Sequence, residues 1–449
     1  MYTYYILLSI FLLLMTIMSY KTFKSFLSIT FIVSTSFFIS SIVAIISRKF
    51  SEWNFVDLKD ESIIIIILGI LGFFIGEFII NQFDKEKERK YVTNEPNKLN
   101  IYNKLYHITP ITKVIVSIFV GLSSIFIIYK MMYVTGIYNN LPKLINTYHV
   151  GSVLYSKSNN YTIGTFATQL YRATIMIGYV FIYFIAHNIS KKDTIRNNLY
   201  YVIILIIITI LSLINAGRMQ FVVYFFAFAF DYFYESNITK FSQISRKMKL
   251  RIIAIASSVI FIFVIIVPLL GRNSNFNYIE YLGFYIGGPI PTLQEAINTN
   301  LFKKPSKFGE NTFSGVKSIL YKFHIIDDYD AYQKYWIHYS KMYHSNIFTG
   351  FSSYYIDFGY SGVFFMSLVA SILMNLINKL TIKKKNAFYT ILYSIYFFKI
   401  FNIARTELVF NLVISFTTIM NIFYLALILV ILFNKTYKGD YIKWMKKNT

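Results

Sequence analysis

The chain has no cysteine, which removes disulfides, thiolate nucleophiles and cysteine-ligated metal from consideration. Charge is also scarce. Only 14% of the 449 residues are Asp, Glu, Lys or Arg, against about a quarter in soluble domains. The signatures of nucleotide and metallopeptidase sites are missing: there is no Walker A loop, no GxGxxG after a strand and no HExxH. Neither an internal repeat nor a pair of Gly/Pro-broken apolar segments of the transporter kind is present. Together these absences exclude a soluble enzyme, a disordered tail and a secreted disulfide scaffold.

What is plentiful is apolar. Hydrophobic residues make up 56% of the chain, and the mean hydropathy is +0.51. They fall in runs of the length needed to cross a bilayer, roughly 20 residues each. Eleven spans are expected, at 4–20, 26–46, 62–80, 111–132, 165–187, 199–214, 219–234, 252–270, 355–378, 387–402 and 408–432. Within a bilayer each must be a helix, because every backbone N–H and C=O needs an internal partner. The expected fold class is all-α and polytopic. Residues 1–270 carry eight spans, 271–354 form one large loop, and 355–449 carry three spans and a basic tail.

The formal charge of +23 reads as a topology signal. One set of alternating loops holds 25 Lys and Arg, the other 15, eight of them in the single long loop. Short basic loops stay cytoplasmic, so the N-terminus is expected outside, the C-terminus inside and the long loop outside. The charge therefore gives no reason to expect a nucleic-acid partner. The first run has no basic residue before it and no small-x-small site after it, unlike a cleaved signal peptide.

The long loop holds 19 aromatics. Tyr332, Tyr335, Trp336, Tyr339 and Tyr343 recur at helical spacing. Two readings of that face stay open. One is an interfacial helix at headgroup level; the other is a platform for sugar rings, with Tyr332, Trp336 and Tyr339 as contacts. Asp328-Tyr329-Asp330 reads as a solvated turn, and Asp57, Asp60 and Glu61 form an acidic first outer loop.

Four arginines, Arg172, Arg218, Arg272 and Arg405, fall at the outer ends of expected spans in a chain with only nine. The guanidinium fork grips phosphate or carboxylate oxygens in pairs and keeps its charge. Each can snorkel to outer headgroups, or the four can share one anionic ligand. Near them lie His338, Asp357 and Glu407, candidate general bases. Against that, the two carboxylates can be structural ion pairs and the histidine a plain surface residue. Nothing in the sequence calls for a metal or cofactor.

Three segments resemble one family. Asn346-Ile347-Phe348-Thr349-Gly350-Phe351, followed by Tyr355-Ile356-Asp357-Phe358-Gly359-Tyr360-Ser361-Gly362, resembles the segment that ends the outer loop of bacterial O-antigen and capsule repeat-unit polymerases of the Wzy type. Asn215-Ala216-Gly217-Arg218 resembles their small-residue-plus-arginine turn, and Tyr285-Ile286-Gly287-Gly288-Pro289 the glycine-rich start of their outer loop. The resemblance implies a bacterial cytoplasmic membrane enzyme acting at the outer face. Its substrates would be undecaprenyl-pyrophosphate-linked oligosaccharides, with a flippase and a chain-length regulator as companions. The arginines would hold pyrophosphate, and one of His338, Asp357 and Glu407 would take the acceptor's proton. An O-antigen ligase, a polysaccharide flippase and a non-catalytic scaffold are the rival readings.

Overall fold

A computed structural model describes residues 2–50, 55–91, 105–154, 161–215, 219–269, 277–302, 308–327, 336–339, 344–384, 386–407, 409–413 and 415–436. The described chain is almost wholly helical. In order it forms α1 (Thr3–Phe23), α2 (Ile29–Phe50), α3 (Asp60–Tyr91), α4 (Pro110–Thr135), α5 (Leu141–Leu154), α6 (Thr165–Ser190), α7 (Leu199–Ile214), α8 (Met219–Glu235) and α9 (Arg246–Leu269). The loop region adds α10 (Tyr278–Gly287), α11 (Pro289–Asn298), α12 (Ser314–Lys322) and a ribbon of β1 (Ile337–His338) and β2 (His344–Ser345). The chain ends with α13 (Phe351–Lys384), α14 (Ala387–Phe401), α15 (Val409–Val413) and α16 (Phe416–Thr436).

The apolar runs are helical, and α4 shows how the ends of one are set. At the start of α4 the Thr109 hydroxyl accepts from the Thr112 amide, Pro110 opens the first turn, and Gly136 closes the far end at φ 69°. Seven helices are long and apolar enough to cross a membrane by length and composition: α1, α2, α3, α4, α6, α13 and α14 with its terminal turn. The apolar helices α7 and α16 are shorter. Along α4 a face of Ile111, Ile118, Leu122 and Ile125 is exposed. An apolar patch of that extent suits lipid rather than water.

The densest contact joins α3 to α13. A Cβ on Gly72 would lie 2.5 Å from the Phe364 carbonyl oxygen, and one on Gly76 2.7 Å from that of Leu368. The serines opposite, Ser367 and Ser371, are buried, and Ser371 donates to the Phe73 carbonyl at 2.7 Å. Small residues let the two backbones close on one another, the usual adhesive of membrane helices. Buried Glu77, just past the middle of α3, accepts from Ser28 Oγ and from the amides of Ile29 and Thr30. It therefore fastens the first turn of α2.

Four expectations are corrected. Helix α5 lies in a stretch where no helix was expected; at 14 residues it is too short to register as a span. The last expected span is broken in two, because Ser415 accepts from the Thr418 amide and starts α16 afresh. The span expected to begin at 355 begins at Phe351 and is kinked at Gly359, whose φ of 67° and ψ of −161° are not helical. In the described part of 332–343, Ile337–His338 is a strand paired with His344–Ser345, not a helix. The aromatic spacing reported a period that strand pairing overrode.

Candidate functional site

A cavity of about 470 Å³ opens between α5, α6, α8 and α16. Its walls include Tyr148 and Ser152 of α5, Arg172 of α6, Asn215 after α7, Gln220 of α8, and Thr417 and Asn421 of α16. Arg172 sits two turns into α6, and its Nη2 donates to Thr417 Oγ1 at 3.1 Å. Its Nη1 is buried with no hydrogen-bond partner, and the side-chain oxygens of Asn215 and Asn421 are in the same state. Buried polar atoms are rarely left unpaired, so the cavity is furnished for a polar ligand.

The cavity is cationic. No carboxylate is among its described lining residues. Lys322, at the end of α12, lies over the Phe416 ring at 3.8 Å. Burial, reinforced by the neighbouring Arg172 charge, pushes its ammonium below the usual lysine range. Arg172 is the one charged residue among the described lining residues, with Lys322 close to it outside the wall, and a buried cation with no described counter-charge creates a demand for an anion. The amide end of α16 faces the same place and adds its dipole.

The structure sorts the sequence candidates. Arg172 lines the cavity. Arg218 and Arg272 lie outside the described residues, but the residues flanking the Arg218 turn, Asn215 and Gln220, both line the cavity. Arg405 is placed elsewhere: its guanidinium lies 4.1 Å from the centre of the Tyr285 ring in α10, and its Nη1 is 3.5 Å from Asn402 Oδ1.

The carboxylates are engaged in structure. Glu407 is buried and accepts from the amides of Val409, Phe410 and Asn411 at 2.7, 2.8 and 3.0 Å, and from the Tyr354 hydroxyl at 3.0 Å. It therefore clamps the start of α15. Asp357, just before the Gly359 kink, accepts from the Thr312 amide at 2.7 Å and from the Asn311 amide and Nδ2, both at 3.0 Å. It pins the loop to α13. Backbone amides supply the positive ends.

His338 is exposed on the ribbon, its Nδ1 2.7 Å from that of His344. Tyr339 is packed between Phe55 and Phe284, both edge-on at 5.8 Å, and its hydroxyl donates to Thr292 Oγ1 at 3.0 Å. Trp336 stands 42% exposed, and Tyr332 lies outside the described residues, as does Asp328-Tyr329-Asp330. In the first acidic loop, Asp57 pairs with Arg48, an arginine at the end of α2 that sequence reasoning passed over.

Reading the sequence also missed Thr417, Asn421 and Lys322. Asn421 carried a signal, being an amide inside an apolar run. Lys322 carried none, because only the fold brings α12 against α16. Comparison of the chain with protein-family models, with curated proteins and with solved structures finds no match.

Proposed function

We propose that this protein is a multi-pass membrane glycosyltransferase that joins lipid-pyrophosphate-linked oligosaccharide units at the outer face of the bacterial cytoplasmic membrane. The observation that carries the reading is the cationic cavity, where Arg172 keeps an unpaired, buried Nη1 beside Lys322. In this reading the eleven-span arrangement puts the cavity at the outer face. The donor's pyrophosphate occupies it, and Arg172 contributes a fixed positive fork. The acceptor sugar's hydroxyl attacks the anomeric carbon from the side opposite the pyrophosphate. The C–O bond to pyrophosphate breaks as the new glycosidic bond forms, and the hydroxyl proton passes to a base. Charge growing on the leaving pyrophosphate is met by donors already in place, which is the efficient way to stabilise it.

His338, beside His344, is the base in this reading, a choice supported by the amide donors that engage the Asp357 and Glu407 carboxylates. The resemblance of the Asp357-Phe358-Gly359 segment and of the Arg218 turn to repeat-unit polymerases supports the substrate class. A second reading, a transporter of the same lipid-linked glycans, is favoured by fully buried Asp231 within the bundle. The deciding experiment supplies purified protein with a synthetic lipid-pyrophosphate repeat unit in detergent. Polymer formed by wild type and lost in Arg172→Ala, with Arg172→Lys partly active, supports the enzyme. Unchanged substrate with folded wild-type protein refutes it.

A further inference from the structure

Helix α8 is aromatic and apolar along most of its length, yet it carries Asp231 and Glu235 one turn apart. Asp231 is 0% exposed. Neither of its carboxyl oxygens accepts a well-formed hydrogen bond: the Ser394 hydroxyl of α14 is within reach but donates to the Ile391 carbonyl, and no described residue forms an ion pair with Asp231. Polar side chains that merely glue membrane helices are paired across the contact. Asp231 is not, so gluing does not account for it. An ionisable group held this way inside a bundle marks a proton or ion pathway.

The titratable neighbours form a row. Glu235 accepts from the Tyr183 hydroxyl at 3.2 Å, and its other oxygen lies 2.8 Å from His187 Nδ1. Tyr179, Tyr183 and His187 succeed one another at intervals of four on α6, on the side that meets α8. Asp231 is close enough to act electrostatically on the hydroxyls of both tyrosines. From α14 come Tyr393, whose ring packs on Phe230, and Ser394, whose hydroxyl donates to the Ile391 carbonyl. Towards the cavity, Gln220 Nε2 reaches the Tyr179 oxygen at 3.5 Å, and Gln220 is in the cavity wall. At the other end, His187 packs against Tyr106 with centroids 4.6 Å apart, a few residues before Lys191 and Lys192. From Arg172 to His187 the row covers 15 helical steps, roughly 22 Å of a hydrocarbon layer about 30 Å thick.

We propose that Asp231 is an intramembrane proton-binding site, that Glu235 and His187 exchange its proton with the basic end of the bundle, and that Tyr183, Tyr179 and Gln220 extend the row to the cavity. The step is a plain proton transfer. The Asp231 carboxyl gives its proton to the Glu235 carboxylate, which passes one to His187, and no oxidant, reductant or other reactant takes part. The proposal stands independently of the reaction proposed above and applies equally to an enzyme or a transporter.

Infrared spectroscopy of the full-length protein in lipid nanodiscs tests it. Wild type should show, at neutral pH, the carbonyl stretch of a protonated carboxylic acid in dry surroundings. Asp231→Asn should lack that band. Asp231→Glu, which keeps the acid, should move it and covers the case in which the asparagine variant misfolds. On transfer to heavy water the band should shift quickly in wild type. In Glu235→Gln and His187→Gln it should shift about a hundredfold more slowly or worse, the scale on which a positioned proton-transfer group acts. A spectrum with no band sensitive to Asp231 overturns the proton site. A band whose exchange is equally fast in both relay variants overturns the relay.

Discussion

Substituting Glu407 separates a clamp from a base. Its carboxylate is the acceptor for three backbone amides and the Tyr354 hydroxyl. Glu407→Ala orphans these four donors in a buried place, and each orphan costs about 1–3 kcal/mol. Even at the low end the loss is about 4 kcal/mol, with α15 released from its anchor. Glu407→Gln should behave differently. The glutamine oxygen can still take Val409, Phe410 and Tyr354, and only the Asn411 amide meets an NH₂ group in place of an oxygen. The neutral amide also escapes the burial that pushes the Glu407 carboxyl above its usual range against the pull of its amide donors. A net cost of about 1–2 kcal/mol follows, one mismatched contact. Unfolding in mixed micelles of rising SDS fraction, followed by circular dichroism, gives both values. The same two variants are then assayed for glycan chain length in a deletion strain. A clamp predicts a damaged Ala variant and a stable, active Gln variant. Two variants as stable as wild type, both without polymer, would refute this reasoning and return Glu407 to the role of base.

Three other outcomes follow from the geometry. Gly359 needs its φ of 67° and has open space where a Cβ would sit, so Gly359→Ala should destabilise by about 1–2 kcal/mol through backbone strain alone, as SDS unfolding would show; an unchanged midpoint would mean the kink is dispensable. Gly72→Leu places atoms into the Phe364 carbonyl, already 2.5 Å from a bare Cβ. It should force α3 from α13 at a cost of about 1–3 kcal/mol or more, seen as loss of a monodisperse gel-filtration peak, whereas Ile64→Leu on an exposed position of the same helix should leave the peak intact. Lys322 has its ammonium held below the ordinary lysine value, so its charged form opposes folding: the penalty is complete below the folded-state pKa and fades as pH rises through it towards the unfolded value. Inorganic pyrophosphate binding should weaken across that same alkaline window, and Lys322→Met should remove the step; an identical pH profile in the variant would show that Lys322 does not face the anion.

Much of the architecture was legible because it depends on local chemistry. Apolar runs must be helices in lipid, and the expected runs at 199–214 and 219–234 coincide with α7 and α8 to within a residue. Period 3.6 failed at Trp336 and Tyr339, where a ribbon and an aromatic pocket with Phe55 and Phe284 took over. Helix α5 escaped notice because its 14 residues are too short and too mixed to stand out.

Sequence alone determined the scarcity of acid, the apolar runs and the set of four arginines, Arg218, Arg272, Arg172 and Arg405, out of place in a lysine-rich chain. Those are properties of residue type and spacing. Only the tertiary structure decided which polar groups are spent and which are left over. Asp357 and Glu407 look like free carboxylates until loop and helix amides close around them. Only packing decides that one guanidinium nitrogen of Arg172 and the side-chain oxygen of Asn421 are buried without a partner, and that Asp231 is buried at all. Whether a hydrogen-bonding group is satisfied depends on neighbours hundreds of residues away, as with Arg172 and Thr417, and no local pattern encodes that.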